Sequence, residues 1–442
     1  MPRIHDRAIL RLSRGGGDAV VLREFDIATK AFVPGGFHLP EAKGGAEWLD
    51  RDTLLLSSAL GDGMATASGY ARTVRLWPRG VDVARASVLF ETTSHSMSAW
   101  AGVDRTQGTE RVWFVERPAF FDMIAWLGDR AGPTVKLGLP VDISMEAHGD
   151  WLAVKRRTPW AIGGVTHAPD TLLGIALSSF LAGDCNFTVL FAPGERCTLQ
   201  SFFWADGQLV LSILDELQPI FEVLKPSADG WARSKLSMAP KIGVVQVWRL
   251  DTEEAESNGD LLASVQDPIT PPALMMVDRT KTWEVLKRAP QAFAADGLVV
   301  THHEAVSVDG ERIPYVQVGP AKQTGDSPVH LSGYGGFAIA SRPYYNSAIG
   351  KLWLERGGTR VIANIRGGGE FGTRWHDAGR RAGKRLSHDD FATVAADLVT
   401  RGVTQSRRIA AEGGSNGGIL ITNMLVRYPE RFGAFGTRKV AV

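Results

Sequence analysis

Near its C-terminal end the chain reads Gly413-Gly414-Ser415-Asn416-Gly417-Gly418, and no other stretch limits so sharply what can be built around it. It fits Gly-x-Ser-x-Gly, in which a serine occupies a strained strand-to-helix turn with its oxygen pushed out over a sheet. The flanks suit that turn: residues 408–411 read as a short buried strand and residues 419–427 as an apolar helix. Glycines at 413, 414 and 417 leave room for a tight backbone and for a helix packed closely on a strand, where a Cβ would clash. Ser415 is the candidate nucleophile. The five-residue pattern alone equally suits a Gly-rich turn with an ordinary serine, so its surroundings decide.

Those surroundings alternate strand and helix. Strands near 328–333, 359–364 and 407–411, with helices near 345–356 and 389–402, predict a doubly wound α/β sheet. A hairpin precedes it, with strands over 298–306 and 311–318 joined by Asp309-Gly310. Residues 1–284 read differently. Short strands and turns dominate and almost nothing recurs at helical period. Polar turns holding Asp feed apolar strands at residues 48–56, 148–154 and 205–211, and a strand, turn and strand occupy 23–33. Such recurrence predicts the blades of a β-propeller at ~40 to 50 residues a blade, with irregular spacing that leaves the count open. The expected division is therefore a propeller over 1–284, possible gaps in it included, and part of an α/β domain over 285–442. Eleven of the thirteen tryptophans lie between Trp48 and Trp283. They are expected to pack between blades, a ligand-stacking surface being the alternative.

The formal net charge is +1 with acids and bases interspersed, so neither nucleic acid nor an anionic membrane is expected as a partner. Cys185 and Cys197 are too few for a disulfide framework or for a zinc site of their own. The first residues run straight into charged positions, and no stretch approaches the ~20 continuous apolar residues of a membrane span. A cytoplasmic monomer is the expectation. His302-His303-Glu304 falls on a strand, where neighbouring side chains point to opposite faces, so no metal is expected there and no cofactor anywhere. The run from Arg366 to Gly372 lacks the Lys-Ser/Thr of a phosphate loop and reads as a structural turn with an ion pair; Asp389 and Asp390 read as helix caps.

Tyr334-Gly335-Gly336-Phe337, Asn364-Ile365-Arg366-Gly367-Gly368-Gly369-Glu370-Phe371-Gly372 and His388-Asp389-Asp390-Phe391 precede Gly-Gly-Ser-Asn-Gly-Gly in that order. Together they resemble the prolyl oligopeptidase family of serine peptidases over about the last third of the chain, with a weaker resemblance to the family's propeller before it. The resemblance implies an α/β-hydrolase domain behind a propeller and hydrolysis of short peptides on the carboxyl side of proline, through an acyl-enzyme on Ser415. It also implies an oxyanion hole made by the Tyr334 hydroxyl and the Asn416 backbone N–H, with Phe337 receiving the proline ring. An acylaminoacyl peptidase or esterase on the same architecture, or a non-catalytic propeller remnant, are the alternatives. The chain departs from the family in one respect. In α/β hydrolases an acid and then a histidine follow the serine, yet the 27 residues after Ser415 hold neither His nor Asp. The sequence after Ala434 also leaves the family pattern. The reading is a chain truncated at both ends, inactive for want of a base, and poorly soluble.

Overall fold

The computed structural model describes residues 6–438 except 109, 228–229, 237–241, 252–258 and 279. Among the described residues, six four-stranded sheets follow one another along the chain and form the blades of a β-propeller. The first holds Arg7–Ser13 to His38–Ala42, and the sixth holds Val244–Arg249, Leu261–Gln266, Ala273–Val277 and Trp283–Arg288. The anticipated turns join blade strands. Between Cys197–Ala205 and Gln208–Asp215, Asp206 and Gly207 sit at φ 46° and 69°, the two left-handed positions that a tight hairpin matched to strand twist requires. Tryptophans serve in more than one way: Trp77, Trp160 and Trp204 are buried, whereas Trp100 and Trp248 stay more than a third exposed.

By compactness the chain divides into residues 1–165 with 173–188, and residues 166–172 with 189–442. The second unit therefore joins the fifth and sixth blades to the α/β sheet. Residue 284, the expected boundary, falls inside the last blade strand, Trp283–Arg288.

Among the described residues the α/β sheet has six strands: β1 (Leu298–Val306), β2 (Arg312–Pro320), β3 (Val329–Gly333), β4 (Thr359–Ala363), β5 (Ile409–Gly414) and β6 (Ala434–Arg438). Their order is β1-β2-β4-β3-β5-β6. The first two form the expected antiparallel hairpin, and β3 pairs in parallel with both β4 and β5. A strand does follow the elbow, with β6 pairing in parallel with β5 through Arg438, although the sequence there had not suggested one. Among the described residues four helices accompany the sheet: α1 (Ser347–Leu352), α2 (Gly372–Ala378), α3 (Lys384–Thr400) and α4 (Asn416–Arg427).

Strand alternation gives this sheet two unlike faces. Val329, Leu331, Val361, Ala363, Ile409 and Ala411 turn one way and are buried with Phe391, Leu398, Leu420 and Met424 from α3 and α4. The residues that alternate with them on the strands are His330, Ser332, Arg360, Ile362, Ala410 and Glu412, and the opposite face is mostly polar.

The helix expected from 389 begins at Lys384, so Asp389 and Asp390 lie inside it and cap nothing. Both are buried and bonded to distant groups: Asp390 to Arg366 and Ser307, Asp389 to Arg427 and Tyr428. Helix α2 was not foreseen. Its first turn is capped by Asp170, whose carboxylate accepts from the Thr373 N–H at 2.6 Å and the Thr373 hydroxyl at 2.8 Å.

Candidate active site

Ser415 stands between β5 and α4 with φ 53° and ψ −119°, a left-handed backbone that few residues with a side chain adopt and that costs of order 1–3 kcal/mol. Its surroundings enforce that conformation. The Ser415 N–H donates to the Arg438 carbonyl of β6 at 2.9 Å, and the Gly418 N–H donates to the Ser415 carbonyl at 2.9 Å. A Cβ on Gly413 would stand 2.3 Å from the Gly417 carbonyl oxygen, and one on Gly417 would stand 2.8 Å from the Gly333 carbonyl oxygen. The glycines are thus needed for β5, β3 and α4 to converge. Ser415 is exposed, and its hydroxyl makes no hydrogen bond among the described residues.

The turn after β3 meets the elbow directly. The Asn416 side-chain amide donates to the Tyr334 carbonyl at 2.6 Å, and a Cβ on Gly336 would fall 2.5 Å from that same amide nitrogen. Gly335, Phe337 and Ala338 all take positive φ, which folds the turn back so that the Tyr334 and Phe337 rings lie 6.5 Å apart. Phe337 is 46% exposed, open to a ligand rather than sealed in a core. Ser415, Asn416, Tyr334 and Phe337 are therefore drawn together. Lys384, which the sequence gave no reason to single out, ties them further: its ammonium donates to the Gly335 carbonyl at 2.7 Å and reaches the Asn416 side-chain oxygen at 3.5 Å. Burial holds that amine below its ordinary range.

Arg366 pairs with Asp390 and Asp309. Arg366 donates to Asp390 through Nε and Nη2 at 2.9 and 2.6 Å, and to Asp309 through Nη1 at 2.5 Å, fastening the hairpin turn to α3. Glu370 is 1% exposed and accepts from the Ser341 N–H at 2.8 Å and the Asn364 amide at 3.3 Å. Burial pushes its carboxyl up to about 7.

Two histidines lie nearest in sequence. His376 lies in the last turn of α2, where it is buried with Nδ1 3.0 Å from the Ala338 nitrogen and 2.8 Å from the Gly367 oxygen. His388 is buried in the second turn of α3, and burial together with Lys384 and Arg427 pushes its imidazole down to about 4, so it is neutral near pH 7. Neither is bonded to Ser415. His303 bonds Thr301 and Arg401, and Glu304 pairs with Arg196 and Arg312. Among the described residues no group of three or more His, Cys, Asp or Glu is placed to hold a metal ion, and no helix is long and apolar enough to cross a membrane. Cys185 and Cys197 are both free thiols.

Beside Tyr334 a cavity of ≈ 940 Å³ opens over the polar face of the sheet. Gly413 and Gly414 of β5 border it, Arg342 and Arg360 project from its wall, and residues 244–248 of the sixth blade, Trp248 included, form another side.

Residues 344–439, which include the elbow, match the prolyl oligopeptidase family. An uncharacterized peptidase of Sinorhizobium fredii is 32% identical over 454 residues, covering 98% of this chain and 61% of that protein. The prolyl endopeptidase of Elizabethkingia meningoseptica is 34% identical over 174 residues, 39% of this chain and 24% of that protein. The solved structure of a post-proline cleaving enzyme from Rickettsia typhi superposes with a TM-score of 0.90 at 24% identity, over 97% of this chain and 64% of that one, which speaks for the fold. The chain thus spans 61 to 62% of the length of the curated relatives that it matches from end to end. Residues 344–439, which hold β4 to β6 of the α/β sheet and the strained serine on its strand-to-helix turn, thus carry the match to the prolyl oligopeptidase family, and the fold likeness extends over the propeller blades before them.

Proposed function

We propose that this chain carries the nucleophile and the oxyanion wall of a serine peptidase acting on short peptides at the carboxyl side of proline. The backbone of Ser415 is the observation that carries the reading: strain at an exposed serine, enforced from three sides, has no structural use and serves to present Oγ to a substrate. In the reaction, Oγ bonds to the scissile carbonyl carbon while its proton passes to a base and then to the leaving amine as the C–N bond breaks. Water afterwards hydrolyses the acyl ester on Ser415. The Asn416 N–H and the Tyr334 hydroxyl are the proposed donors to the oxyanion, where one donor is worth on the order of 100-fold or more in rate. Phe337, exposed beside Tyr334, is the proposed seat of the proline ring. Likeness to a named prolyl endopeptidase over 174 residues supports the choice of proline.

A positioned base is a separate requirement. A serine hydroxyl is a weak nucleophile near neutral pH until a base comes within ~2.6–3.2 Å, and the Ser415 hydroxyl has no such partner among the described residues. The 442-residue chain is accordingly proposed to be inactive by itself. The test has two arms. The purified chain and its Ser415→Ala variant are assayed on a chromogenic Gly-Pro substrate, and neither should turn over on the scale of seconds; serine-dependent turnover would mean that an upstream histidine acts as base. In a version extended to the relatives' full length, a fluorophosphonate probe should label the parent and spare Ser415→Ala, and equal labelling of both would remove Ser415 from the mechanism.

A further inference from the structure

The cavity beside Tyr334 holds an unbalanced charge. Four cationic or potentially cationic side chains line it, His330, Arg342, Arg360 and Arg438, against the single carboxylate of Glu412. That carboxylate is already engaged, by His330 on β3 and by Arg438 on β6. Arg360 and Arg342 are left over. Arg360 is 4% exposed; its Nη1 donates to the Tyr344 carbonyl at 3.0 Å, its plane lies over the Tyr344 ring, and its Nε has no hydrogen-bond partner. Arg342 donates to the Val245 carbonyl at 3.3 Å. Neither has a carboxylate within ion-pair distance among the described residues, and burial depresses the basicity of both, Glu412 and Glu370 offsetting this only in part. A buried guanidinium with a free N–H and no counter-ion is costly, and an anion entering the cavity would recover that cost through charge-assisted, bidentate bonds.

The remaining walls say what carries the anion. Val244–Arg249 stands at the edge of its sheet, its outer backbone groups without a strand partner among the described residues, and residues 244–248 line the cavity. Val247, Trp248, Ile339 and Ile362 add apolar surface. An extended backbone beside a sheet edge, side chains against apolar walls and a carboxylate at the end describe a peptide. The size is right for a ligand of a few residues. On β3, His330 lies level with Arg360 and four residues before Tyr334, about 13 Å along an extended strand.

We propose that this cavity binds peptides by their free C-terminal carboxylate, which is held between Arg342 and Arg360 while the chain lies along Val244–Arg249 toward Tyr334. The choice of a peptide rests on the peptidase reading above. The carboxylate pocket would give the site a preference for short peptides with an unblocked C-terminus.

The test uses binding, so it needs neither a base nor proline. Fluorescence anisotropy is measured on the 442-residue chain with dansyl-Gly-Ala-Phe-Leu as free acid and as C-terminal amide, at ~0.1 M salt. The acid should bind about tenfold or more tightly than the amide, the scale of one charged hydrogen-bonding group. Arg342→Gln and Arg360→Gln should each remove most of that preference and leave amide binding unchanged, with circular dichroism confirming the fold; Arg342→Gln alters the less buried of the two and keeps the test open if Arg360→Gln misfolds. Ser415→Ala should keep the full preference, so a serine that fails to label in the extended protein leaves this result standing. Equal binding of acid and amide by the parent, or a preference that survives loss of either arginine, overturns the proposal.

Discussion

Arg366 and Arg360 follow one another within seven residues, on β4 and the turn that leaves it, and are 3% and 4% exposed. Their surroundings differ completely. Arg366 is enclosed by Asp390, Asp309 and Ser307, and although burial works against its charge, those bonds raise its basicity above the ordinary value. Arg360 has a ring, a carbonyl and an unpartnered Nε, and burial lowers its basicity. The first arrangement is closed: every polar direction is met from within the chain, and it fixes the hairpin turn against α3 under the loop that leads to α2. The second is open. A buried charge that a fold retains without compensation marks a place where compensation comes from outside, and this one faces a cavity beside the proposed oxyanion tyrosine.

The largest effect should come from breaking the closed arrangement. Asp390→Ala would leave Arg366 buried with only the half-exposed Asp309, and removal of one partner from a buried pair typically costs about 3–5 kcal/mol. Urea unfolding should show that loss, and the double replacement Asp390→Leu with Arg366→Met should recover part of it, since the stranded charge is then gone too. A cost below ~1 kcal/mol for Asp390→Ala would mean that Arg366 is no better compensated than Arg360.

Glu370 tests the same contrast with the sign of the charge reversed. Its carboxyl sits at about 7 against an ordinary 4.5, because burial outweighs its bonds to Ser341 and Asn364. The folded protein therefore keeps a proton that the unfolded chain releases. Below pH 4.5 both states are protonated and the group contributes nothing; as pH rises from about 4.5 to 7 the folded state loses stability, by on the order of 3 kcal/mol once above that window. Glu370→Gln should remain flat across it. Parallel stability curves for parent and variant between pH 4.5 and 8 would show that Arg342 neutralises Glu370 after all.

What the sequence revealed divides along the same line. Features whose cause is local were legible: Asp206-Gly207 makes its hairpin through its own backbone preferences, Asp309-Gly310 joins β1 to β2, and the glycines around Ser415 specify an elbow because only they permit its close approaches. Features whose cause is distant were not. Helix α2 is short and depends on the carboxylate of Asp170, 203 residues earlier. Asp389 and Asp390 carry the residue type of a cap, but partners on the turn after β1, on α4 and on the Arg366 turn place them inside the helix. Lys384 and Arg360 stand in no motif at all. Their importance comes from what the folded chain sets beside them, or fails to set there.

The smallest expected effect bears most directly on the open arrangement. Arg360→Met keeps much of the length and apolar stem of the side chain and removes a guanidinium that burial disfavours. It forfeits one bond to the Tyr344 carbonyl and the contact with that ring, each worth about 1 kcal/mol, and relieves a desolvation penalty of at least that size. Stability in urea should therefore stay level or rise by about 1 kcal/mol with an unchanged slope, in contrast to the loss at Asp390. A fall of more than ~2 kcal/mol would show that Arg360 is fully compensated within the chain, and the cavity would then have no charge left over to offer a ligand.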